Sequence, residues 1–346
     1  MPQTLDPPPA LPENLDDSTV GTPPRLPGSA RRTSTIDMVW PDGFGTSLHL
    51  VGRARDLVTP AEGEPVVVGE AEMLVTVGAN RTVESIETVP HRDGTSELVG
   101  TQGGSYLRSA IERALPGERE AATPLHLLLD DIAGTSLIGG FVWSRWRPEA
   151  VQNMRRLPPE FGLRKGRIIC SGLRPGGWAQ TARERGSDQA HAIRLAGDLS
   201  VADDPLAWHE FPDRPPVAMR RHRRVDVRPE GDTLFIDAFF RDSCWEPDGT
   251  EMALHEYTVV SEVDAATHTL KAVRATPRVL PFPECQWAAP HVDQLVGMPV
   301  DGFRTSVQET LVELQCCTHL NDMLRCLAEV PALAAALAQQ SHHSSR

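Results

Sequence analysis

The chain has 346 residues, of which 40% are hydrophobic, so it is long enough for two or three modest domains with apolar cores. Its net charge of −13 argues against nucleic acid as the main partner. The N-terminus lacks the basic start and apolar stretch of a secretory signal, and no apolar run approaches the roughly 18 residues of a membrane span. Six cysteines in a chain this long are not a disulfide framework. We therefore expect a cytoplasmic protein with reduced thiols and no membrane partner.

Both ends of the chain are predicted to be disordered tails. Residues 1–30 are rich in proline and poor in large apolar side chains, so burial cannot offset the entropy lost on ordering. Residues 338–346 show a similar composition. The sequence between them divides into a first unit at 31–140, a connector at 141–215 that is rich in Arg, Gly and Pro, and a second unit at 216–337.

The first unit reads as strands followed by helices. Alternating apolar residues predict strands, and turn signals separate them. Apolar residues at helical spacing then predict a helix, and Thr123 followed by Pro124 is typical of the start of another. The predicted strands lie at Ile36–Trp40, Leu48–Asp56, Val66–Val77 and Thr82–Val89, and the first helix lies at Tyr106–Leu115.

The same order of features recurs in the second half. Landmarks such as Pro41, Arg55-Asp56 and Thr123 find counterparts 186 to 197 residues later. Small shifts of this kind are what loop insertions produce, so we predict a tandem pseudo-symmetric repeat. The predicted fold class is α+β, in which each copy is an antiparallel sheet of four strands followed by helices.

Reactive side chains occur in the second copy. Opposite His255, Cys317 and His319, the first copy has Gly69, Ala122 and Pro124, while Glu70 keeps a carboxylate opposite Glu256. The first copy is therefore predicted to be a scaffold, and the second to carry the function. Between Leu254 and Leu327 the second copy holds four of the six cysteines, together with His255 and His319; the cysteines are Cys285, Cys316, Cys317 and Cys326.

Three interpretations of these residues stay open. Thr318 is a good N-cap, so Cys317 would precede a helix N-terminus, where free amides and the helix dipole stabilise a thiolate. Catalysis would then use Cys317, His319, His255 and Glu256. A metal site would use Cys285, Cys317, His319 and His255 to hold Zn²⁺ or an iron–sulfur cluster. In the third interpretation the cysteines are simply buried apolar residues.

Two charged segments are interpreted as structural. Arg241-Asp242 ends a strand, as Arg55-Asp56 does in the first copy, and a pair present in both copies favours a structural role. The basic run MRRHRRVDV at 219–227 is predicted to be a solvated strand entry, and the alternative is contact with an anion or carboxylate.

Residues from about 220 to 335 resemble the bacterial DUF2889 family, whose function is unknown. The resemblance lies in the entry at 222–227, LHEYTVVSEVD at 254–264, PFPEC at 281–285, QLVG at 294–297 and CCTHLNDMLRCLAE at 316–329. It implies a domain identity and supports the choice of site, but no reaction or cofactor. A weaker similarity is to iron–sulfur cluster scaffold proteins, since Cys285 and Cys317 fall in similar places. The third scaffold cysteine has no counterpart, so this similarity implies fold alone.

The sequence is therefore compatible with three functions. The first is an enzyme acting on a small molecule through a Cys/His site. The second is a metal-binding or metal-transfer protein. The third is an interaction protein whose sheet edges bind another chain.

Overall fold

The computed structural model describes residues 17–154, 163–185 and 192–344. Its strands are β1 (Ser29–Val39), β2 (Leu48–Thr59), β3 (Val66–Val77), β4 (Val83–Val89), β5 (Leu163–Arg164), β6 (Arg167–Ile168), β7 (Arg194–Leu195), β8 (Ala218–Glu230), β9 (Thr233–Trp245), β10 (Glu251–Asp264) and β11 (Leu270–Val279). Its helices are α1 (Ser105–Ala114), α2 (Pro116–Glu120), α3 (Pro124–Ile138), α4 (Val142–Trp146), α5 (Pro148–Met154), α6 (Trp178–Glu184), α7 (Phe303–Thr310), α8 (Thr318–Arg325) and α9 (Val330–Ser344).

The long strands form one continuous antiparallel sheet. Its order is β11-β10-β9-β8-β1-β2-β3-β4, with β7 paired to β10. Each half of the chain therefore contributes four strands in sequential order, and the two first strands, β1 and β8, pair at the centre with Ser34 opposite Arg223. The predicted α+β class with antiparallel strands and helices is confirmed. The two predicted sheets, however, are joined edge to edge into one.

The main helices cover one face of this sheet above two apolar cores. One core lies under α7, α8 and α9 and includes Phe240 and Leu324. The other lies under α1 and α3 and includes Leu50 and Leu128. The segment Pro124–Trp146 is apolar and long enough to cross a membrane, but 72% of its most apolar window is buried inside the protein, as in a core helix.

The connector covers part of the opposite face. Leu199, Ala207 and Trp208 pack against Phe239 of β9. The ring nitrogens of His209 lie 2.9 and 2.8 Å from the hydroxyl oxygens of Thr33 and Thr35 on β1. Where it is described, the segment 141–215 is thus an ordered layer, because the buried polar groups of the central strands need hydrogen-bond partners.

Both predicted tails differ from the structure within the described residues. Residues 1–16 lie outside them, but the Ser18 hydroxyl donates to Glu256 at 2.8 Å and the Thr19 N–H donates to Glu256 at 2.6 Å. The proline-rich segment is held in place because a buried carboxylate requires donors. At the other end, α9 continues to Ser344, since its alanines and leucines are strong helix formers.

Candidate functional site

In each half, an arginine on the first strand binds an aspartate on the second strand. Arg32 of β1 donates from Nε and Nη2 to Asp56 of β2, both at 2.5 Å. Arg221 of β8 donates in the same manner to Asp242 of β9, at 2.8 and 2.9 Å. In each pair, the arginine and the aspartate are directly opposite each other in the ladder of the two strands. The two aspartates are therefore held as buried carboxylates at equivalent places in the sheet.

Helix α3 of the first half supplies carboxylates to arginines of the second. Asp131 accepts from Arg223 at 2.6 Å and from Arg221 at 3.2 Å. Asp130 accepts from Arg325 at 2.7 and 2.9 Å and from Arg304 at 3.0 Å. Burial alone would raise the pKa of Asp130, but the surrounding guanidinium groups hold that pKa well below its usual value. The halves are thus joined by ionic contacts as well as by strand pairing.

Beside Asp242, two histidines form a compact cluster. His255 of β10 lies opposite Asp242 in the ladder, and its Nδ1 is 3.9 Å from Asp242 Oδ2. His319, in the first turn of α8, places its Nε2 3.6 Å from the same oxygen. The two imidazole rings stack with centroids 3.5 Å apart and an interplanar angle of 18°. One potential ligand atom from each of the three residues lies within 4.8 Å of the others.

Both imidazoles are neutral near pH 7. Burial lowers the pKa of His255 well below 6.5, and the neighbouring His319 lowers it further. Burial also lowers the pKa of His319, with Arg221 and Arg223 acting in the same direction. The Nδ1 atom of His255 is buried without a hydrogen-bond partner among the described residues. Each ring therefore keeps a basic nitrogen available for a proton or a metal ion.

An open cleft of about 420 Å³ reaches this cluster. His319 and Thr318 form part of its wall, so one of the two histidines is in contact with the solvent-filled space. The rest of the wall comes from both halves and includes Arg81, Ser105, Arg108, Gly134, Arg164, Arg167, Glu313, Cys316, Asn321 and Asp322.

Residues 219–333 match the sequence model of the DUF2889 family, which is described as a protein of unknown function. We refer to residues 219–333 as the DUF2889 region. It begins in β8 and ends in α9, so it contains Arg221, Asp242, His255 and His319. Searches of curated proteins and of solved structures found no match.

The predicted thiols of the DUF2889 region lie apart from the histidine cluster. In the described residues, the group within ligand distance consists of Asp242 and the two histidines, without Cys285 or Cys317. Burial raises the pKa of Cys317, although the Tyr257 hydroxyl and the amides of His319 and Leu320 oppose that shift. Desolvation thus outweighs the helix N-terminus, and the structure does not favour the predicted thiolate.

Helix α8 begins one residue earlier than predicted, with Cys317 instead of Thr318 in the N-cap position. Glu256 also lies outside the cluster. It accepts from Arg241 at 2.7 Å and from Ser18, whereas its neighbour His255 contacts Asp242 and His319. Successive residues of a strand point to opposite faces, so His255 and Glu256 cannot serve the same site. In the structure Glu256 binds Arg241 and the segment at Ser18 and Thr19, apart from the histidine cluster.

Asp242 is the site residue that sequence reasoning missed. It was interpreted as structural because the Arg-Asp dipeptide recurs as Arg55-Asp56, and its contact with Arg221 agrees with that role. The sequence contained one usable signal, the match between Arg241-Asp242 and Arg55-Asp56 at corresponding strand ends. When β9 and β10 pair antiparallel, Asp242 lies beside His255, just as Asp56 lies beside Gly69 in the pair of β2 and β3.

The equivalent position in the first half contains neither imidazole. Gly69 lies opposite Asp56 in the ladder of β2 and β3. A Cβ on Gly69 would come 3.3 Å from Pro124 Cγ and 3.4 Å from Asp56 Oδ2. Gly69 and Pro124 are therefore the neighbours of Asp56, whereas His255 and His319 are the neighbours of Asp242.

Proposed function

We propose that this protein is an enzyme acting on a small molecule, with its reaction in the cleft and His319 as the general base or acid. The observation that carries the proposal is a neutral imidazole in the cleft wall, 3.6 Å from a buried carboxylate. The Nδ1 of His319 lies 3.5 Å from the Thr318 hydroxyl oxygen, on a residue that also lines the cleft. Taking up a proton there would place an imidazolium between the Asp242 carboxylate and the guanidinium groups of Arg221 and Arg223, which lower the pKa of His319, so the proton would be returned readily to the reacting molecule.

His255 serves as a positioning residue in this proposal. Its ring stacks on His319 and fixes the plane of that ring. Asp242, oriented by both guanidinium contacts of Arg221, fixes the other edge. A base held in this manner loses little entropy when it reacts.

We further propose that the two halves arose by duplication and that the first copy lost the chemistry. The matching strand order, the paired Arg32–Asp56 and Arg221–Asp242 contacts, and the places of Gly69 and Pro124 support this. The similarity to iron–sulfur scaffolds gains no support, since the cysteines of the described residues do not join the ligand cluster.

The test compares wild-type protein with His319→Gln. Each is incubated with a library of small metabolites, and consumption is followed by mass spectrometry. We expect wild type to convert at least one compound and His319→Gln to convert it roughly 100-fold more slowly or worse. The control is His126→Gln, which replaces another buried histidine, on α3 of the first half. No conversion by wild type, or an equal loss in His126→Gln, would refute the proposal.

A divalent metal site is the second candidate function. Two neutral imidazoles and one carboxylate are a donor set that suits Zn²⁺ or Fe²⁺, and the unpartnered Nδ1 of His255 is available. One feature must change on binding, however, because Arg221 occupies both oxygens of Asp242.

Elemental analysis of protein purified without chelator or affinity metal separates the two candidates. One Zn or Fe per chain, lost in His255→Ala and retained in Asp56→Asn, would establish the metal site. Metal-free protein that still converts a compound in a His319-dependent manner would establish acid–base catalysis.

A further inference from the structure

The cleft wall carries more positive than negative charge. Four arginines and two carboxylates line it. Arg167 pairs with Glu313 at 2.9 Å, and Arg108 pairs with Asp322 at 2.6 Å. Arg81 and Arg164 have no carboxylate within ion-pair distance among the described residues. Within the described part of the chain, these two guanidinium groups therefore have no counter-charge, although the net charge of the protein is −13.

Arg81 is held in the cleft by neutral groups. Its Nη2 donates to the carbonyl oxygen of Ala133 at 2.8 Å and to the Ser136 hydroxyl at 3.3 Å, and both acceptors belong to α3. Its backbone adopts a left-handed φ of 65°, which is uncommon for a residue other than glycine. Burial lowers the pKa of Arg81, and Arg164 and Arg108 lower it further. Cations brought together in this manner are stabilised when an anion joins them.

The N-terminus of α1 opens onto the same space. Gly104 and Ser105 line the cleft, and Gly104, in the N-cap position, offers no side-chain acceptor to the first-turn amides. Arg164 donates to the Ser105 hydroxyl at 2.9 Å, which brings its guanidinium to that helix end. Free amides and two guanidinium groups therefore surround one volume, and such a set binds oxyanions.

We propose that Arg81, Arg164 and the N-terminus of α1 bind an oxyanion, phosphate or carboxylate, on the small molecule that His319 acts on. The identification of this ligand as the substrate rests on the proposed function, whereas the anion site itself does not. The first half and the connector thereby supply the binding groups, and the DUF2889 region supplies the imidazole. This arrangement gives the first half and the connector a role in specificity beyond that of a scaffold.

Isothermal titration at low ionic strength tests the site, with inorganic phosphate in one arm and succinate in the other. We expect at least one of the two anions to bind. The anion that binds more tightly shows whether the site prefers a phosphate or a carboxylate group. Arg164→Gln should weaken binding about tenfold, the loss of one charge-assisted contact. Arg81→Gln should weaken binding by a similar factor. If Arg81→Gln fails to fold, the result for Arg164→Gln decides the test. Arg113→Gln, at an exposed position of α1, is the matched control.

Two results would overturn the inference. One is the absence of binding by wild type in both arms. The other is equal weakening by Arg164→Gln and Arg113→Gln. His319→Gln should bind the anion as wild type does while failing to convert the library compound. Anion binding without turnover would therefore refute the proposed enzyme alone, and His319-dependent turnover without anion binding would refute the anion site alone.

Discussion

A Cβ atom placed on Gly69 would lie 3.3 Å from Cγ of Pro124. At the equivalent place in the DUF2889 region, the imidazoles of His255 and His319 stack 3.5 Å apart. Both places adjoin an aspartate that is bound by an arginine of the neighbouring strand. The two aspartates thus have similar arginine partners but different neighbours, and only the imidazoles beside Asp242 can accept protons.

The first prediction compares Asp242→Asn with Asp56→Asn. Each variant leaves a buried arginine, Arg221 or Arg32, without its bidentate counter-ion, so each should lower the free energy of unfolding by about 3 kcal/mol. Urea unfolding measures this. Only Asp242→Asn should also abolish conversion of the library compound, measured at a temperature where both variants are folded. Equal loss of turnover in both would contradict the division between the halves.

The second prediction concerns Gly134 on α3. A Cβ at this position would lie 2.5 Å from Arg221 Nη1 and 2.8 Å from Asp322 Oδ2, so Gly134→Ala should displace the guanidinium that orients Asp242. We expect a loss of about 1–3 kcal/mol in the free energy of unfolding. Gly117→Ala is the control, because a Cβ there meets nothing within 4 Å. A Gly134→Ala protein as stable as wild type would contradict this prediction, because it would show that Arg221 and Asp322 can move aside at no cost in stability.

The third prediction is a steep loss of stability in mild acid. Burial lowers the pKa of five histidines: His126 and His209 to about 3, and His222, His255 and His319 well below 6.5. The unfolded chain takes up these protons below pH 6.5 and the folded chain does not, so the stabilisation is complete above pH 6.5 and declines as the pH falls. At pH 5.5 each contributes a loss of about 1 kcal/mol, or roughly 5–7 kcal/mol together, comparable with the total stability of many domains.

Circular dichroism against pH measures this transition, which we expect between about pH 5 and 6. His91→Gln should leave the midpoint unchanged, since the side chain of His91 is 78% exposed. A native spectrum retained to about pH 4 would contradict the prediction.

The fourth prediction is that no thiol reacts readily in the folded protein. All six cysteines are buried, and burial raises the pKa of Cys170, Cys244 and Cys326 to about 12. A disulfide reagent such as DTNB should label none of them within minutes and should label six after denaturation. A thiol that reacts quickly in wild type but not in Cys317→Ser would contradict this prediction and support Cys317 as a nucleophilic thiolate.

Local features of the fold could be predicted from the sequence because they depend on local patterns. β3 spans Val66–Val77 as expected from its alternation, and the Thr123 hydroxyl caps α3 by accepting from the His126 N–H at 3.1 Å. β10, in contrast, spans Glu251–Asp264, and a bulge between Ala253 and His255 interrupts the alternation at its start.

The central strand pair could not be predicted, because it depends on distant charges. The basic run at 219–227 was expected to be solvated, yet Arg221 and Arg223 are each 1% exposed. They are buried because Asp242 and Asp131, the latter about 90 residues away along the chain, neutralise them. Composition alone cannot distinguish such a strand from a surface one, so the pairing of β8 with β1, and with it the cleft between the halves, follows only from the tertiary structure.

The pairing of β1 with β8 also sets an order of events during synthesis. Val39 pairs with Ala218, so one side of β1 has no partner until the ribosome has added roughly half the chain. At about 5–20 residues per second this delay is on the order of ten seconds or more. During that interval the nascent first half exposes an open strand edge to other chains. Chaperone demand during translation should therefore peak before β8 emerges, and fall once it does.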